Sequence, residues 1–279
     1  MASIHELLDM TGRVAVITGG GTHLGNAMAE AICELGGVVY IASRRGDMCE
    51  QVAAEMRAAS AGAASTTAPG SAAARAWDIT GLACDATRED QVNALVDRIV
   101  RERGRLDVMI SNAGGGRPTS YPPHGKLAEF METIEINMVS TYLCAQAAAR
   151  AMAPARRGSI ITLGSIAAVL GTDRRSYSPK FTRSGPHYMA AKGGVLQLSR
   201  ALACEFGEFG ITVNCLSPGQ IPKPGVTDPE QAERFRNMNP LLKTGTRDDI
   251  KGVVAVLASD AGRWITGQNF LVDGGWSAW

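Results

Sequence analysis

Short runs of β-branched and apolar residues alternate along the chain with longer stretches of mixed polarity. The runs predict strands at Val14–Thr18, Val38–Ala42, Val108–Ser111, Ser159–Leu163, Thr212–Leu216 and Asn269–Val272. Between them lie Ala- and Glu-containing stretches long enough for crossover helices, such as Gly25–Leu35, Arg88–Arg103 and Val195–Phe206. Strand–helix–strand repetition predicts an α/β fold: a doubly wound parallel sheet with helices on both faces. No internal repeat and no linker divides the chain, so a single domain spanning 1–279 is expected.

Two stretches break the rhythm. Residues 58–77, "AASAGAASTTAPGSAAARAW", consist mostly of Ala, Ser, Thr, Gly and Pro and read as an inserted surface loop. Residues 172–186, within "TDRRSYSPKFTRSGP", form a second expected insertion, and this one is basic.

With 45% hydrophobic and 20% charged residues, the composition is that of a soluble globular chain. The net charge of +1 gives no broad attraction to nucleic acid or to an anionic membrane. Cys33, Cys49, Cys84, Cys144, Cys204 and Cys215 are scattered, with no C-x-x-C and no Cys/His spacing suited to zinc, so no metal site is expected. The N-terminal "MASIHELLDMTG" does not read as a signal peptide, so none is expected, and no apolar run reaches membrane-spanning length. A reduced, cytoplasmic protein is the expectation.

The segment "VITGGGTHLG" runs from a strand through three glycines into a helix. Such a turn aims backbone N–H groups and a helix N-terminus at a pyrophosphate. The G-x-G-x-x-G pattern fails here, because Gly19 and Gly21 fit but Leu24 holds the third place. Glycines also mark plain turns, so this stretch alone leaves the matter open.

The turn resembles the T-G-x-x-x-G-x-G of the short-chain dehydrogenase/reductase family at Thr18, Gly19 and Gly25, with His23 in the place of the middle glycine. Further pieces follow in the family's order: "CDAT" with Asp85, "SNAGG" with Asn112, Ala113 and Gly114, and "INMVS" with Asn137. Then come "LGSIAA" with Ser165, "YMAAK" with Tyr188 and Lys192, "SPG" with Pro218 and Gly219, and the closing "ITGQNFLVDGG". The resemblance covers essentially the whole chain and implies a Rossmann-type sheet, a nicotinamide cofactor and a homotetramer. It places the cofactor against Gly19, Gly21, Thr22, His23, Leu24 and Gly25, then Ser43, Arg44, Asp85 and Ala86. Asn112, Ala113, Gly114, Tyr188, Lys192, Pro218, Gly219 and Ile221 complete that set. For His23, a donor to the phosphate and a merely solvated side chain stand as equal readings. Its backbone must either take an ordinary helical start or bear strain.

Of the five tyrosines, only Tyr188 has a lysine four residues on, which puts both side chains on one helix face. A free phenol titrates near about 10, and a neighbouring ammonium is expected to lower it. By the resemblance, Tyr188 is the general acid/base, Lys192 also holds the nicotinamide ribose, Ser165 holds the substrate oxygen, and Asn137 binds a water linked to Lys192. Taken singly, each has a plainer reading as a capping or surface residue; their ordered combination favours the catalytic one.

The second strand ends "VVYIASRRG", with Ser43 where an NAD-preferring member of the family carries an acid, followed by Arg44 and Arg45. A hydroxyl and a guanidinium suit the 2′-phosphate of NADP(H), with NAD(H) the second choice. Ser165 and Tyr188 stand 23 positions apart, wider than the family's usual gap, and the extra residues are expected to bulge beside the substrate mouth. Arg174, Arg175, Lys180 and Arg183, with Arg117 as neighbour, form a basic rim suited to an anionic carbonyl or alcohol substrate such as a sugar acid or an acyl thioester; a plainly solvated loop explains them as well. After Pro218–Gly219, the "QIPKPG" segment has Lys223 where the family often has a threonine. The rival readings are a cofactor-binding sensor without turnover, an epimerase or dehydratase, and an enoyl reductase. The intact Asn137, Ser165, Tyr188 and Lys192 set argues against the first. The glycine pattern argues against the second, and the four-residue Tyr–Lys spacing against the third.

Overall fold

In the computed structural model, residues 1–64, 76–116, 120–178, 183–223, 225 and 228–279 are described. Val14–Thr18 (β1) is buried at every position, as befits a central strand covered on both faces. Around it stand Val38–Ser43 (β2), Ile79–Ala83 (β3), Val108–Ser111 (β4), Gly158–Leu163 (β5), Ile211–Pro218 (β6) and Asn269–Val272 (β7). They form one seven-stranded sheet in the order β3-β2-β1-β4-β5-β6-β7, every neighbouring pair parallel. Ile17 lies opposite Ile41 on one side and Ile110 on the other.

Parallel neighbours require crossovers, and the helices supply them. They are Ile4–Leu8 (α1), Leu24–Glu34 (α2), Gly46–Ala64 (α3), Glu89–Arg103 (α4), Leu127–Ile134 (α5), Ser140–Met152 (α6), Pro186–Phe206 (α7), Pro229–Asn237 (α8) and Lys251–Ala258 (α9). A π-helical turn, Glu135–Val139, joins α5 to α6. Successive strand side chains point to opposite faces and build two cores. Val16, Met109 and Ile160 pack with α4, α6 and α7, while Ala15, Ile17, Ile110 and Ile161 pack with α2, α3 and α9. The strand order reverses between β1 and β4, the place where such sheets leave a crevice at their C-terminal edge.

Each strand expected from the apolar runs is present, with ends shifted by two residues at most, the largest shift being the extension of β6 from Leu216 to Pro218. β3 has no such run: "ITGLA" carries Gly81, where a Cβ would collide with the backbone of Glu50 in α3. The expected loop at 58–77 requires correction. Ala58–Ala64 continues α3, in keeping with the high helix propensity of alanine. Ser60 is buried there, donating to the Arg57 carbonyl at 2.8 Å and accepting from the Trp77 N–H at 3.0 Å. Residues 65–75 of that stretch lie outside the described residues. No helix among the described residues is long and apolar enough to cross a membrane.

Candidate active site

The turn after β1 is fixed by tight backbone contacts. The Gly19 N–H donates to Ala42 at 2.7 Å, and Gly19 has a φ of 66°, a left-handed conformation that favours glycine. A Cβ on Gly20 would stand 2.7 Å from Ile41, so that glycine serves the packing of turn on strand. Asn112, at the exit of β4, donates to the carbonyls of Thr18 at 3.1 Å and Gly19 at 2.9 Å, joining the ends of β1 and β4.

Of the two backbone courses expected for it, His23 takes the strained one. Its φ of 41° and ψ of −108° lie outside the helical start, and its side chain caps no N–H of α2. Such a conformation costs about 1–3 kcal/mol in a non-glycine residue. Its Nε2 instead meets the Ile221 carbonyl at 3.0 Å, a bond worth roughly 0.5–1.5 kcal/mol net, which does not outweigh the strain. Ile221 does not line the cavities described below; its side chain packs on the core beside α2 and α9.

The Asn137 side chain is buried and fully committed. Its Oδ1 accepts from the Gly115 N–H at 2.9 Å, while Nδ2 donates to the carbonyls of Gly115 at 3.2 Å and Thr133 at 3.0 Å. A Cβ on Gly114 would stand 2.5 Å from that Oδ1. Asn137 therefore holds the glycine run leaving β4 in place.

Three adjoining cavities follow the C-terminal edge of the sheet. The first, about 770 Å³, runs from Gly19, Gly21 and Thr22 across Ser43, Arg44 and Arg45 at the end of β2. It continues over Asp85, Ala86 and Thr87 after β3 to Ala113, Gly114, Ile136 and Ser140. The second, about 410 Å³, shares the glycine turn and adds His23, Leu24, Asn112, Ser165, Tyr188, Lys192, Pro218, Gly219 and Lys223. The third, about 350 Å³, shares Ser165, Tyr188 and Gly219 and is walled by Thr172, Tyr177, Arg183, Met238 and Trp276. Of the expected site residues, Gly25, Asn137 and Ile221 line none of the three, and Asn137, buried behind the glycine run, does not face the cavity beside Lys192. Gly25 packs instead on the backbone of Gly19 and Gly20.

This trough fits a dinucleotide. The N-terminus of α2, which has no side-chain cap, borders it through Thr22, and Arg44 and Arg45 line it with no ion pair among the described residues. Ser43 donates to the Arg45 carbonyl at 3.3 Å, steadying that corner. Asp85 accepts from the N–H and hydroxyl of Thr87 at 3.0 and 2.8 Å. Burial raises its pKa, but these bonds, with Arg44 and Arg88, hold it below the ordinary value.

Around the catalytic candidates, α7 brings Tyr188 and Lys192 onto one face. The Lys192 Nζ lies 5.7 Å from the centre of the Tyr188 ring and donates to the Leu163 carbonyl at 2.6 Å. Burial lowers its pKa to about 8. The expected lowering of the phenol is not met: burial raises Tyr188 and the Tyr177 hydroxyl adds to this, while the Ser165 hydroxyl works against both. With the ammonium turned to Leu163, desolvation prevails. Ser165 also accepts from the Ala167 N–H at 3.1 Å, which orients its hydroxyl oxygen at the end of β5.

The first part of the basic insertion, through Ser178, is docked on α8. Buried Gln231 of α8 accepts from the Ser178 N–H at 2.7 Å and donates to the Ser176 carbonyl at 3.0 Å. Phe235 meets Tyr177 and Trp276 edge to face. Of the expected basic rim, Arg183 lines the third cavity, its guanidinium 4.3 Å above the Tyr121 ring. Arg175 is turned onto Asp173 at 2.6 Å, and neither it nor Arg174 lines the cavity. Arg117, Lys180 and the second proline of "QIPKPG" lie outside the described residues. The sequence reading missed Tyr177, Met238 and Trp276 as cavity walls. Ile136 and Ser140 had a signal, since both flank Asn137 in "INMVS".

A family model described as enoyl-(acyl carrier protein) reductase matches residues 21–277. Secoisolariciresinol dehydrogenase from Forsythia intermedia is 32% identical over 280 residues, covering 96% of this chain and 90% of its own. Among solved structures, the NADPH-dependent 3-quinuclidinone reductase from Rhodotorula rubra aligns with a TM-score of 0.84 at 30% identity, covering 100% of this chain and 96% of that one. A short-chain type dehydrogenase/reductase from Mycobacterium marinum gives 0.83 at 30% identity, with 99% of each chain covered.

Proposed function

The chain belongs to the short-chain dehydrogenase/reductase family, and on that premise we propose that it interconverts a secondary alcohol and a ketone with NADP(H), using Tyr188 as general acid/base. The observation that carries the reading is the convergence of Ser165 and Tyr188 where the second and third cavities meet, with Lys192 lining the second beside them. Bound along the trough, the nicotinamide supplies the hydride donor or acceptor. Tyr188 gives its phenolic proton to the substrate oxygen in reduction and takes one from the alcohol in oxidation. Ser165 steadies that oxygen, Lys192 places a positive charge beside the phenol, and Asn137 fixes the glycine run that floors the trough. A sensor without turnover has no use for an ammonium buried at such cost beside a phenol. The four-residue Tyr–Lys spacing favours ketone and alcohol chemistry over enoyl reduction.

NADP(H) is preferred because Arg44 and Arg45 stand unpaired among the described residues where the adenosine ribose would lie. The NADPH dependence named for the Rhodotorula rubra reductase points the same way. Arg183, the cation on the wall of the third cavity with no ion pair among the described residues, supports an anionic substrate. Exposed Leu127, Met131 and Tyr142 on α5 and α6, and Trp264, Leu271 and Trp279 near β7, support two apolar interfaces and hence a homotetramer. Six free cysteines support a reducing compartment such as the cytoplasm.

A fluorescence titration with NADPH and with NADH tests the cofactor assignment. Binding of NADPH at least about tenfold tighter is expected, and Arg44→Ala is expected to remove most of that difference. Equal or reversed affinities would overturn it.

A further inference from the structure

Nothing local explains a histidine at position 23. Glycine would adopt its φ of 41° and ψ of −108° without strain, and the imidazole caps nothing in α2. What the ring does is reach the carbonyl of Ile221, 198 positions away, at 3.0 Å. A carbonyl only accepts, so Nε2 carries the proton in this contact.

The segment leaving β6 is also held from its other side. The Gly219 N–H donates to Val272 of β7 at 2.9 Å, and the Gly245 N–H donates to Gln220 at 3.0 Å. The Ile221 side chain packs into the core, so close that a Cβ on Gly245 would stand 2.9 Å from it. His23 is the bond that joins this segment to the turn after β1. The turn with Gly19, Thr22 and His23 follows β1 and the segment with Pro218, Gly219 and Lys223 follows β6, three strands along the sheet, and both line the second cavity together with Tyr188 and Lys192.

We infer that His23 is a positioning residue whose ring ties the phosphate turn to the exit of β6 and so fixes the width of the cavity over Tyr188. Strain of this kind persists only where the surroundings over-determine it. The tie between two walls is what the strain maintains here. A displacement on the order of 1 Å at a reacting centre can lower a rate about 100-fold, so a loosened wall affects turnover before it affects binding. The effect on turnover rests on the oxidoreductase reading; the effect on the wall does not.

The test compares His23→Gly and His23→Gln with the wild type by amide hydrogen exchange, melting temperature, NADPH titration and turnover. In His23→Gly the melting temperature is expected to hold or rise, since the strain is gone. The amides of 219–223 are expected to exchange about tenfold faster or more, with α2 and the body of β6 unchanged. NADPH affinity should move by about threefold or less, while turnover falls about tenfold or more. His23→Gln, whose amide can donate to the Ile221 carbonyl, should restore most of the protection. Unchanged exchange at 219–223 in His23→Gly would overturn the inference. A loss of NADPH affinity in step with turnover would also overturn it, making His23 a phosphate ligand instead. A wild type that binds cofactor yet turns over no ketone would defeat the oxidoreductase reading, and the exchange result would still decide the role of His23.

Discussion

The Lys192 ammonium stands 5.7 Å from the centre of the Tyr188 ring, yet its hydrogen bond goes to the Leu163 carbonyl at 2.6 Å. The charge is held beside the phenol by the backbone of β5, inside an environment that disfavours charge on both groups. Burial pushes the lysine down to about 8 and the tyrosine up.

That arrangement makes Lys192 destabilising at neutral pH. An ordinary lysine in the unfolded chain keeps its proton to about 10.5, so below pH 8 both states are protonated and the folded state bears the full cost of the buried charge. Between pH 8 and 10.5 the folded protein releases the proton first and the cost fades. Lys192→Met removes a cost on the order of 3 kcal/mol and loses about 1 kcal/mol with the bond to Leu163. Thermal melts across pH should show the variant more stable than the wild type at pH 7, with the gain shrinking toward pH 10.5. Its turnover should fall by about 100-fold or more. A gain that grows with pH would contradict this account.

Arg183 supplies the charge of the third cavity, because Asp173 on the same wall is already bound by Arg175. Steady-state kinetics of Arg183→Ala should therefore show KM for a carboxylate-bearing ketone raised about tenfold or more. KM for a neutral ketone of similar size should stay within about twofold. Equal effects on both substrates would remove the anionic assignment.

Gln231 secures the insertion to α8. Gln231→Ala leaves the Ser178 N–H and the Ser176 carbonyl without their buried partner, which should cost about 2–3 kcal/mol in denaturant unfolding. Because the loosened segment lines the third cavity, KM for the ketone should rise more than kcat falls. A variant as stable as the wild type would show that the insertion is held by other contacts.

Most of the sheet was legible because parallel strands buried on both faces read as apolar runs, as in "VAVIT" and "VVYIA". β3 was not, since close packing on α3 demands Gly81 and breaks its run. The Ser165, Tyr188 and Lys192 group was legible from order and helical spacing. What escaped the sequence was contact across distance: the bond from His23 to Ile221, the docking of the insertion by Gln231, and the wall made by Trp276. The raised phenol of Tyr188 was missed for a related reason. Spacing brings the lysine near, but only the fold shows that its hydrogen bond goes to Leu163.

The central claim is that Tyr188 transfers the proton while hydride moves to or from the nicotinamide. The direct test is the ketone-dependent oxidation of NADPH by the wild type and by Tyr188→Phe, with cofactor affinity measured on both. The account expects kcat to fall by about 1000-fold with NADPH affinity nearly unchanged, since the phenylalanine keeps the ring and removes only the transferable proton. A Tyr188→Phe protein that retains kcat within about tenfold of the wild type would contradict it.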